Sequence, residues 1–299
     1  LRSAAYAGAR SGKKHLISTA IEHHAILHTL KQLEEEGFSV TLLPVSETGM
    51  VTPEAVQAAI RPDTCLVSVM FANNEIGTVE PIAEIGAVCR EKGVLFHTDA
   101  VQAVGHVPID LSQLPVDMLS LSAHKFHGPK GVGVLYAKRG TPLHSLICGG
   151  AQERGMRAGT ENLPAIAALG AACAVLDGRV REHFERACAL RGRLLELLAQ
   201  IEGVRVLSPP DGSPYITCLS VPGYRSETML HFLESRGVFV SSGSACSKGA
   251  SSPVLAAMGL PAPVIDGALR VSLIYTSREE ELRQLADALA EGIRTVAHR

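Results

Sequence analysis

The chain has 299 residues, 46% of them hydrophobic and 19% charged, with 28 Lys plus Arg against 30 Asp plus Glu for a formal net charge of −2. That is long enough for one large domain or two ordinary ones, and the composition is that of a globular protein, not a disordered one. No like-charge run exceeds the triplets Glu34-Glu35-Glu36 and Glu279-Glu280-Glu281, which argues against a direct nucleic-acid footprint or a membrane-surface patch.

The sequence opens on Leu1, and LRSAAYAGARSGKK reads as the end of a helix running into a polar turn, so the chain is expected to begin inside a domain with upstream sequence missing. From His15 onward short strand-like runs alternate with helical periodicity, the mark of βα units around a mostly parallel sheet. HLISTAI predicts a strand and HAILHTLKQLEEEG a helix stopped at Gly37. VTLLPV predicts a strand, and TPEAVQAAI a helix with Thr52 as N-cap and Pro53 in the first helical position. TCLVSVMF, VLFHTDA, DMLSLSAH and GVGVLYA read as strands and PIAEIGAVCREKG as a helix; the strands are nearly continuous apolar runs, as in sheets buried on both faces. LPAIAALGAACAVL is too short to cross a bilayer and is read as a buried helix.

Beyond about residue 178 the texture changes. A long charged helix, DGRVREHFERACALRGRLLELLAQIEG, leads into VRVLS, YITCLSV, a helix around ETMLHFLESRG, VFVSS, LRVSLIY and a last helix from Ser277. The expected organisation is a larger α/β domain over residues 1–178 and a smaller α+β domain over 179–299, with no internal repeat or low-complexity linker. The seven cysteines are odd in number, scattered and free of CxxC pairs, and no signal-like segment opens the sequence, so a reduced, cytoplasmic compartment is the expectation.

Ligands of parallel α/β sheets bind beyond the carboxyl ends of the strands, and four such ends are unusually polar: Glu22-His23-His24, Asn73-Asn74-Glu75, Asp99 with Gln102, and Ser122-Ala123-His124-Lys125. A lysine that ends an apolar strand among histidines and a Gly-Pro-Lys-Gly turn is poorly explained as a solvated surface charge. Desolvated beside other cations, Lys125 would be a nucleophile toward aldehydes. Asp99 alone could be a helix N-cap; beside such a lysine it fits the carboxylate that keeps a pyridoxal ring nitrogen protonated, with Gln102 facing the same site from the first helical turn. His23, His24 and His28 form an HHxxxH pattern, but no cysteine or acid completes a zinc set and no metal is expected. Asn73 and Asn74 could simply make an Asx turn, whereas an inward arginine within a strand, Arg270, favours an anion partner. Cysteines 65, 89, 148, 173, 188 and 218 mostly fall in apolar patterns and read as small core residues. Cys246 differs: it lies in VSSGSACSKGASS, a stretch of small polar residues suited to a mobile nucleophile, with Lys248 near enough in sequence to help hold a thiolate.

The segments EHHA, NNEIGT, HTDAVQAVG, SAHKFHGPKGVG, ERGMRAGTEN, VSSGSAC and LRVSL, in this order, resemble the NifS/IscS-like cysteine desulfurases, fold-type I pyridoxal-phosphate enzymes of aminotransferase class V. The likeness runs from about residue 15 to the C-terminus. It implies a mostly parallel, seven-stranded-type sheet and a smaller C-terminal domain carrying the cysteine loop. It also implies that Lys125 binds the cofactor covalently and then moves the Cα proton, that Asp99 holds the ring nitrogen and Gln102 the ring hydroxyl, and that His23 stacks on the ring and assists proton transfer. Asn74 would lie near the ring oxygen and the substrate carboxylate, Ser122 and His124 would contact the phosphate, Thr160 would reach the phosphate of a neighbouring subunit in a homodimer, and Arg270 would grip the substrate carboxylate. Cys246 would take sulfur from L-cysteine as a persulfide, releasing alanine, for a sulfur-acceptor protein that serves iron-sulfur assembly or tRNA thiolation; whether it also transiently ligates an iron-sulfur cluster stays open. Two departures stand out. SKGASSPVLAAMGL turns quickly into a helix, giving a shorter reach than in many assembly members, and the family's glycine-rich phosphate turn would lie upstream of Leu1. Transamination, selenocysteine cleavage and a cofactor-free, non-catalytic remnant are the alternatives.

Overall fold

The computed structural model describes residues 1–242 and 252–296. The chain divides into two compact units, one of residues 1–44, 51–72 and 80–180 and the other of residues 45–50, 73–79 and 181–299.

In the first unit the elements follow the order α1 (Arg2–Ala9), β1 (His15–Thr19), α2 (His24–Glu35), β2 (Ser39–Leu43), α3 (Pro53–Ala59), β3 (Thr64–Ser68), α4 (Ile82–Lys92), β4 (Leu95–Asp99), β5 (Met118–Ser122), β6 (Gly133–Ala137) and α5 (Leu163–Leu176). Thr52 caps α3 as predicted, its Oγ1 accepting from the Ala55 N–H, with Pro53 in the first turn. α2 buries Ile26, Leu30 and Leu33, an i, i+4, i+7 stripe that packs with Ala4 and Ala5 of α1 onto Leu16 and Leu66 of the sheet. The sheet has six strands among the described residues, not seven, in the order β2-β1-β3-β4-β5-β6. β1 to β5 are parallel and β6 returns antiparallel to β5. β1 and β3 are wholly buried, their apolar centres Leu16-Ile17 and Cys65-Leu66-Val67 flanked by buried polar residues.

Two side-chain ladders cross this sheet. His15 bonds Thr64 Oγ1 and Thr41 Oγ1, each at 2.8 Å, and His97 bonds Ser68 Oγ at 2.9 Å and Ser120 Oγ at 2.8 Å. Each buried imidazole has both ring nitrogens satisfied, the condition for polar groups in a core.

One expectation fails here. α5 is not buried: Leu163 is 69% and Val175 55% exposed, and only Leu169 and Leu176 are covered, against Ala123 and Phe126. An alanine-rich helix apolar all round offers no stripe to distinguish its inner face, so sequence alone overstated its burial. Among the described residues no single helix is long and apolar enough to cross a membrane.

The second unit contains α6 (Val180–Leu198, its first residue in the other unit), β7 (Arg205–Val206), β8 (Ile216–Ser220), α7 (Ser226–Ser235), β9 (Ser241–Ser242), α8 (Pro253–Ala257), α9 (Ala262–Asp266), β10 (Ala268–Ser272) and α10 (Glu279–Thr295). Its four-stranded antiparallel sheet, β7-β8-β10-β9, shares a core with the helices through Leu194, Leu219, Leu233, Leu269, Leu282 and Leu289. VRVLS and VFVSS shrink to two-residue strands. The unit also takes in the turns at 45–50 and 73–79, which a division at residue 178 assigns elsewhere. The reason is long-range bonding: Ser208 Oγ donates to the Ile76 carbonyl and the Ser213 N–H to the Gly77 carbonyl at 2.7 Å, while Thr78 Oγ1 donates to the Thr48 carbonyl.

Gly77 has φ +76°, and a Cβ there would stand 2.8 Å from the Ile216 carbonyl. Gly77→Ala is therefore expected to destabilise by about 1–3 kcal/mol. Gly170→Ala, in the exposed interior of α5 with nothing within 4 Å of the new methyl, should be neutral or stabilise by up to about 1 kcal/mol. Thermal melts of the two variants check the contrast; equal effects would contradict it.

Candidate active site

In the first unit the C-terminal ends of β1, β4 and β5 carry most of the predicted residues. His23 is the N-cap of α2, its Nδ1 accepting from the Ala25 N–H at 3.1 Å, so the proton of its neutral ring sits on Nε2. Asp99 ends β4 and accepts the Val101 N–H on Oδ1 at 3.0 Å. Asp99 thus caps a turn and not the helix that an N-cap reading supposes: residues 101–106 form successive turns, and Gln102 stands half-buried on a turn and not on a helix. Ser122 ends β5, and its Oγ lies 2.8 Å from His124 Nδ1. Lys125 follows on a single 3₁₀ turn, Ala123–Phe126, whose Ala123 and Phe126 are buried and whose His124 and Lys125 are exposed. This alternation aims the lysine outward while its neighbours anchor the backbone. Gly128 allows the anchoring, because a Cβ there would meet Ala123 Cβ at 2.8 Å. The desolvation inferred from the flanking histidines is not present: Lys125 is exposed. Thr160 lies exposed on the segment before α5.

The charges follow from burial. Desolvation pushes the Asp99 carboxyl above its ordinary value, while the Val101 N–H, His23 and Lys125 pull it down. Glu22 and Glu80, 3% exposed each, are both pushed up to about 8, chiefly by desolvation. Neither had an assigned role in the sequence, nor had His97, pushed down to about 3 by burial. Their signal was faint but present: a charged or imidazole side chain inside or directly after an apolar run. The donor set fits pyridoxal phosphate. A half-buried carboxyl raised mainly by desolvation is what a protonated ring nitrogen would stabilise, and the exposed amine, the imidazole and the hydroxyl are the groups its aldehyde, ring face and phosphate require.

The second unit holds the other candidates. Arg270, on β10, donates from Nη1 to the Asn74 carbonyl at 2.9 Å and from Nη2 to Ser241 Oγ at 3.2 Å, and its buried Nε has no partner among the described residues. Asn73, not Asn74, makes the Asx turn: its Oδ1 accepts the Glu75 and Ile76 N–H groups at 2.8 and 3.0 Å. Ser252 caps α8 and donates to Glu75 Oε2. Cys246 and Lys248 lie outside the described residues. Of the six other cysteines, Cys65, Cys89 and Cys218 are buried, but Cys148, Cys173 and Cys188 are exposed, so half of that set is not core. Burial pushes the Cys65 thiol up to about 11 and those of Cys89 and Cys218 to about 12, which keeps them protonated and unreactive.

A parallel sheet whose strand ends present lysine, aspartate, histidine and serine in this way defines a fold-type I, pyridoxal-phosphate-dependent enzyme, and the family described as aminotransferase class-V matches residues 2–285. The cysteine desulfurase IscS of Clostridium botulinum is 48% identical over 98% of this chain and 75% of its own length, and that of Methanosarcina thermophila is 44% identical over 97% and 72%. A solved NifS-like protein superposes with a TM-score of 0.89 at 36% identity, covering 97% of this chain and 79% of its own. DndA of Streptomyces lividans gives 0.79 at 36% identity over 92% and 78%. The chain belongs to the cysteine desulfurase family of the class V aminotransferases.

The ladder behind Asp99 makes the unit acid-sensitive. The unfolded chain returns His97 to its ordinary value of 6.5 while folding holds it near 3. Its contribution is therefore intact above about pH 6.5 and is lost as pH falls below that, by up to about 1.4 kcal/mol per pH unit. His97→Gln, which cannot take up the charge, should show a shallower loss of melting temperature between neutral and acid pH than the wild type; parallel curves would contradict this.

Proposed function

We propose that this protein removes sulfur from L-cysteine, releases L-alanine and holds the sulfur as a persulfide on Cys246. The observation that carries the reading is the placement of Asp99, half-buried at the end of β4 with its Oδ1 on the Val101 N–H, where His23 and Lys125 both draw its carboxyl down. Bound pyridoxal phosphate supplies an electron-accepting ring that stabilises the charge left at Cα.

This chain's residues supply the rest. Asp99 would keep the ring nitrogen protonated and Gln102 would bond the ring hydroxyl. His23 stacks on the ring and, with Nδ1 occupied by the Ala25 N–H, exchanges protons through Nε2. Ser122 and His124, already in contact through Oγ and Nδ1, hold the phosphate. Arg270 would take the substrate carboxylate with its two-pronged fork, and Asn74 would serve the ring oxygen. Lys125 removes the Cα proton. The Cys246 thiolate would then attack the substrate sulfur: the S–S bond forms as the substrate Cβ–S bond breaks, its electron pair stays with the carbon skeleton, and that skeleton takes up one proton at Cβ and regains one at Cα to leave as alanine. The relatives named as cysteine desulfurases support the reaction, and SspA, a 31% identical neighbour, was solved in complex with cysteine.

We extend the reading to a homodimer in which Thr160 serves the neighbouring subunit's phosphate, to a reducing, cytoplasmic setting, and to a sulfur-acceptor protein of iron-sulfur assembly or tRNA thiolation.

Supplied with cysteine, the purified protein should produce alanine and sulfide, and Cys246→Ser should bring both to background while keeping the bound cofactor. A yellow wild type that yields no alanine would sink the desulfurase reading, and turnover in Cys246→Ser would favour transamination or selenocysteine cleavage. Arg270→Lys should raise KM for cysteine by roughly 10- to 100-fold with a smaller change in kcat, as expected for loss of one charge-assisted bond; an unchanged KM would remove Arg270 from the carboxylate site.

A further inference from the structure

Glu22 does nothing in the reaction as written, yet its carboxyl stands at a junction of the sheet. It lies between β1 and α2, and Oε1 accepts two hydrogen bonds, from Thr19 Oγ1 at 2.9 Å and from the Met70 N–H at 2.8 Å. Oε2 is buried with no partner among the described residues. Met70 lies just past β3, and the next N–H, that of Phe71, donates to the Asp99 carbonyl at 2.8 Å, while the Phe71 carbonyl accepts from the Glu80 N–H at 3.0 Å. On the other side Glu22 is followed directly by His23, the N-cap of α2. One side chain thus connects the peptide that carries His23 to the peptide that holds Asp99 in place.

We propose that Glu22 is a positioning residue of the cofactor site, tying the end of β1 to the end of β3 so that His23 and Asp99 keep a fixed separation on either side of the ring. The proposal rests on the reading that these two residues face pyridoxal phosphate. Glu22 does this work as an uncharged acid. Desolvation is the main cause that holds it to about 8, the negative fields of Asp99 from β4 and Glu80 from the segment before α4 add to it, and the bonds from Met70 and Thr19 oppose it. At neutral pH the proton therefore stays on Glu22. Asp99 is left as the carboxylate that meets the ring nitrogen, and a second negative charge beside it is avoided.

Glu22→Gln keeps the length, the accepting oxygen and the neutral state. Glu22→Ala removes the tie. Pyridoxal phosphate titrated into each purified full-length protein should bind Glu22→Ala roughly tenfold more weakly than wild type, the scale on which outer partners tune a site. The pH midpoint of the bound cofactor's absorbance should move in Glu22→Ala, because the geometry of Asp99 against the ring nitrogen has changed, and Glu22→Gln should restore both readings. Where Glu22→Ala does not fold, Glu22→Asp, which retracts the carboxyl by one methylene from Met70, takes its place with the same expected losses.

A second measurement needs no cofactor. An acid whose folded value is raised from 4.5 to about 8 contributes stability that is full below 4.5 and is lost as pH rises through 8. Melts of the cofactor-free proteins from about pH 6.5 to about 9 should therefore decline more steeply for wild type than for Glu22→Gln. Equal cofactor affinity and an unmoved midpoint in folded Glu22→Ala or Glu22→Asp would overturn the proposal, as would Glu22→Gln behaving like Glu22→Ala, or parallel wild-type and Glu22→Gln melts. A wild type that takes up no pyridoxal phosphate would instead contradict the cofactor reading, and the proposal with it.

Discussion

Three carboxyl groups, Glu22, Glu80 and Asp99, are packed at the carboxyl edge of one parallel sheet, and desolvation raises all three. Acids in such a place persist only by keeping their protons or by meeting a positive charge. Glu22 and Glu80 take the first course, each holding a backbone N–H, from Met70 and Val51 respectively. Asp99 is drawn the other way by His23 and Lys125. The division of labour follows from position: Asp99 ends its strand at the ligand edge, whereas the two glutamic acids stand behind it and serve the backbone.

The same economy governs the lysine. Ser122, Ala123 and Phe126 fix a 3₁₀ turn against the sheet, and Gly128 lets the following chain fold back onto Ala123, so Lys125 is presented by a rigid mount even though its own side chain is exposed. In the second unit, Arg270 is mounted on β10, where its guanidinium orders Ser241 and the Asn74 carbonyl. Each of these groups is carried on an anchored stretch of backbone, which suits chemistry that depends on placement more than on strong forces.

Much of this was legible in the sequence. β1 and β3 announce themselves by the short apolar runs at their centres, and α3 because Thr52 and Pro53 make an unambiguous start. The site motifs were legible because strand ends are where an α/β sheet binds ligands. What escaped depends on long-range packing. The exposure of α5, and of Cys148, Cys173 and Cys188, cannot be read from a locally apolar stretch. The turn at 73–79 joins the second unit through bonds from Ser208 and Ser213, some 130 residues away in sequence, and the turn at 45–50 follows it through the bond from Thr78 Oγ1 to the Thr48 carbonyl. Glu22 was visible as a polar residue after a strand, but its burial and its bond to Met70 belong to the folded chain alone. Cys246, the most conspicuous residue of the sequence reading, rests on its motif, since it lies outside the described residues.

The central claim is that the strand-end array of the first unit binds pyridoxal phosphate through Lys125. Its most direct measurement is to mix the protein with pyridoxal phosphate, reduce with borohydride and map the labelled peptide by mass spectrometry. The account predicts one pyridoxyl group, on Lys125 in SAHKFHGPK. A label on Lys130 or another lysine with Lys125 unmodified, or no label on protein that is folded, would contradict it.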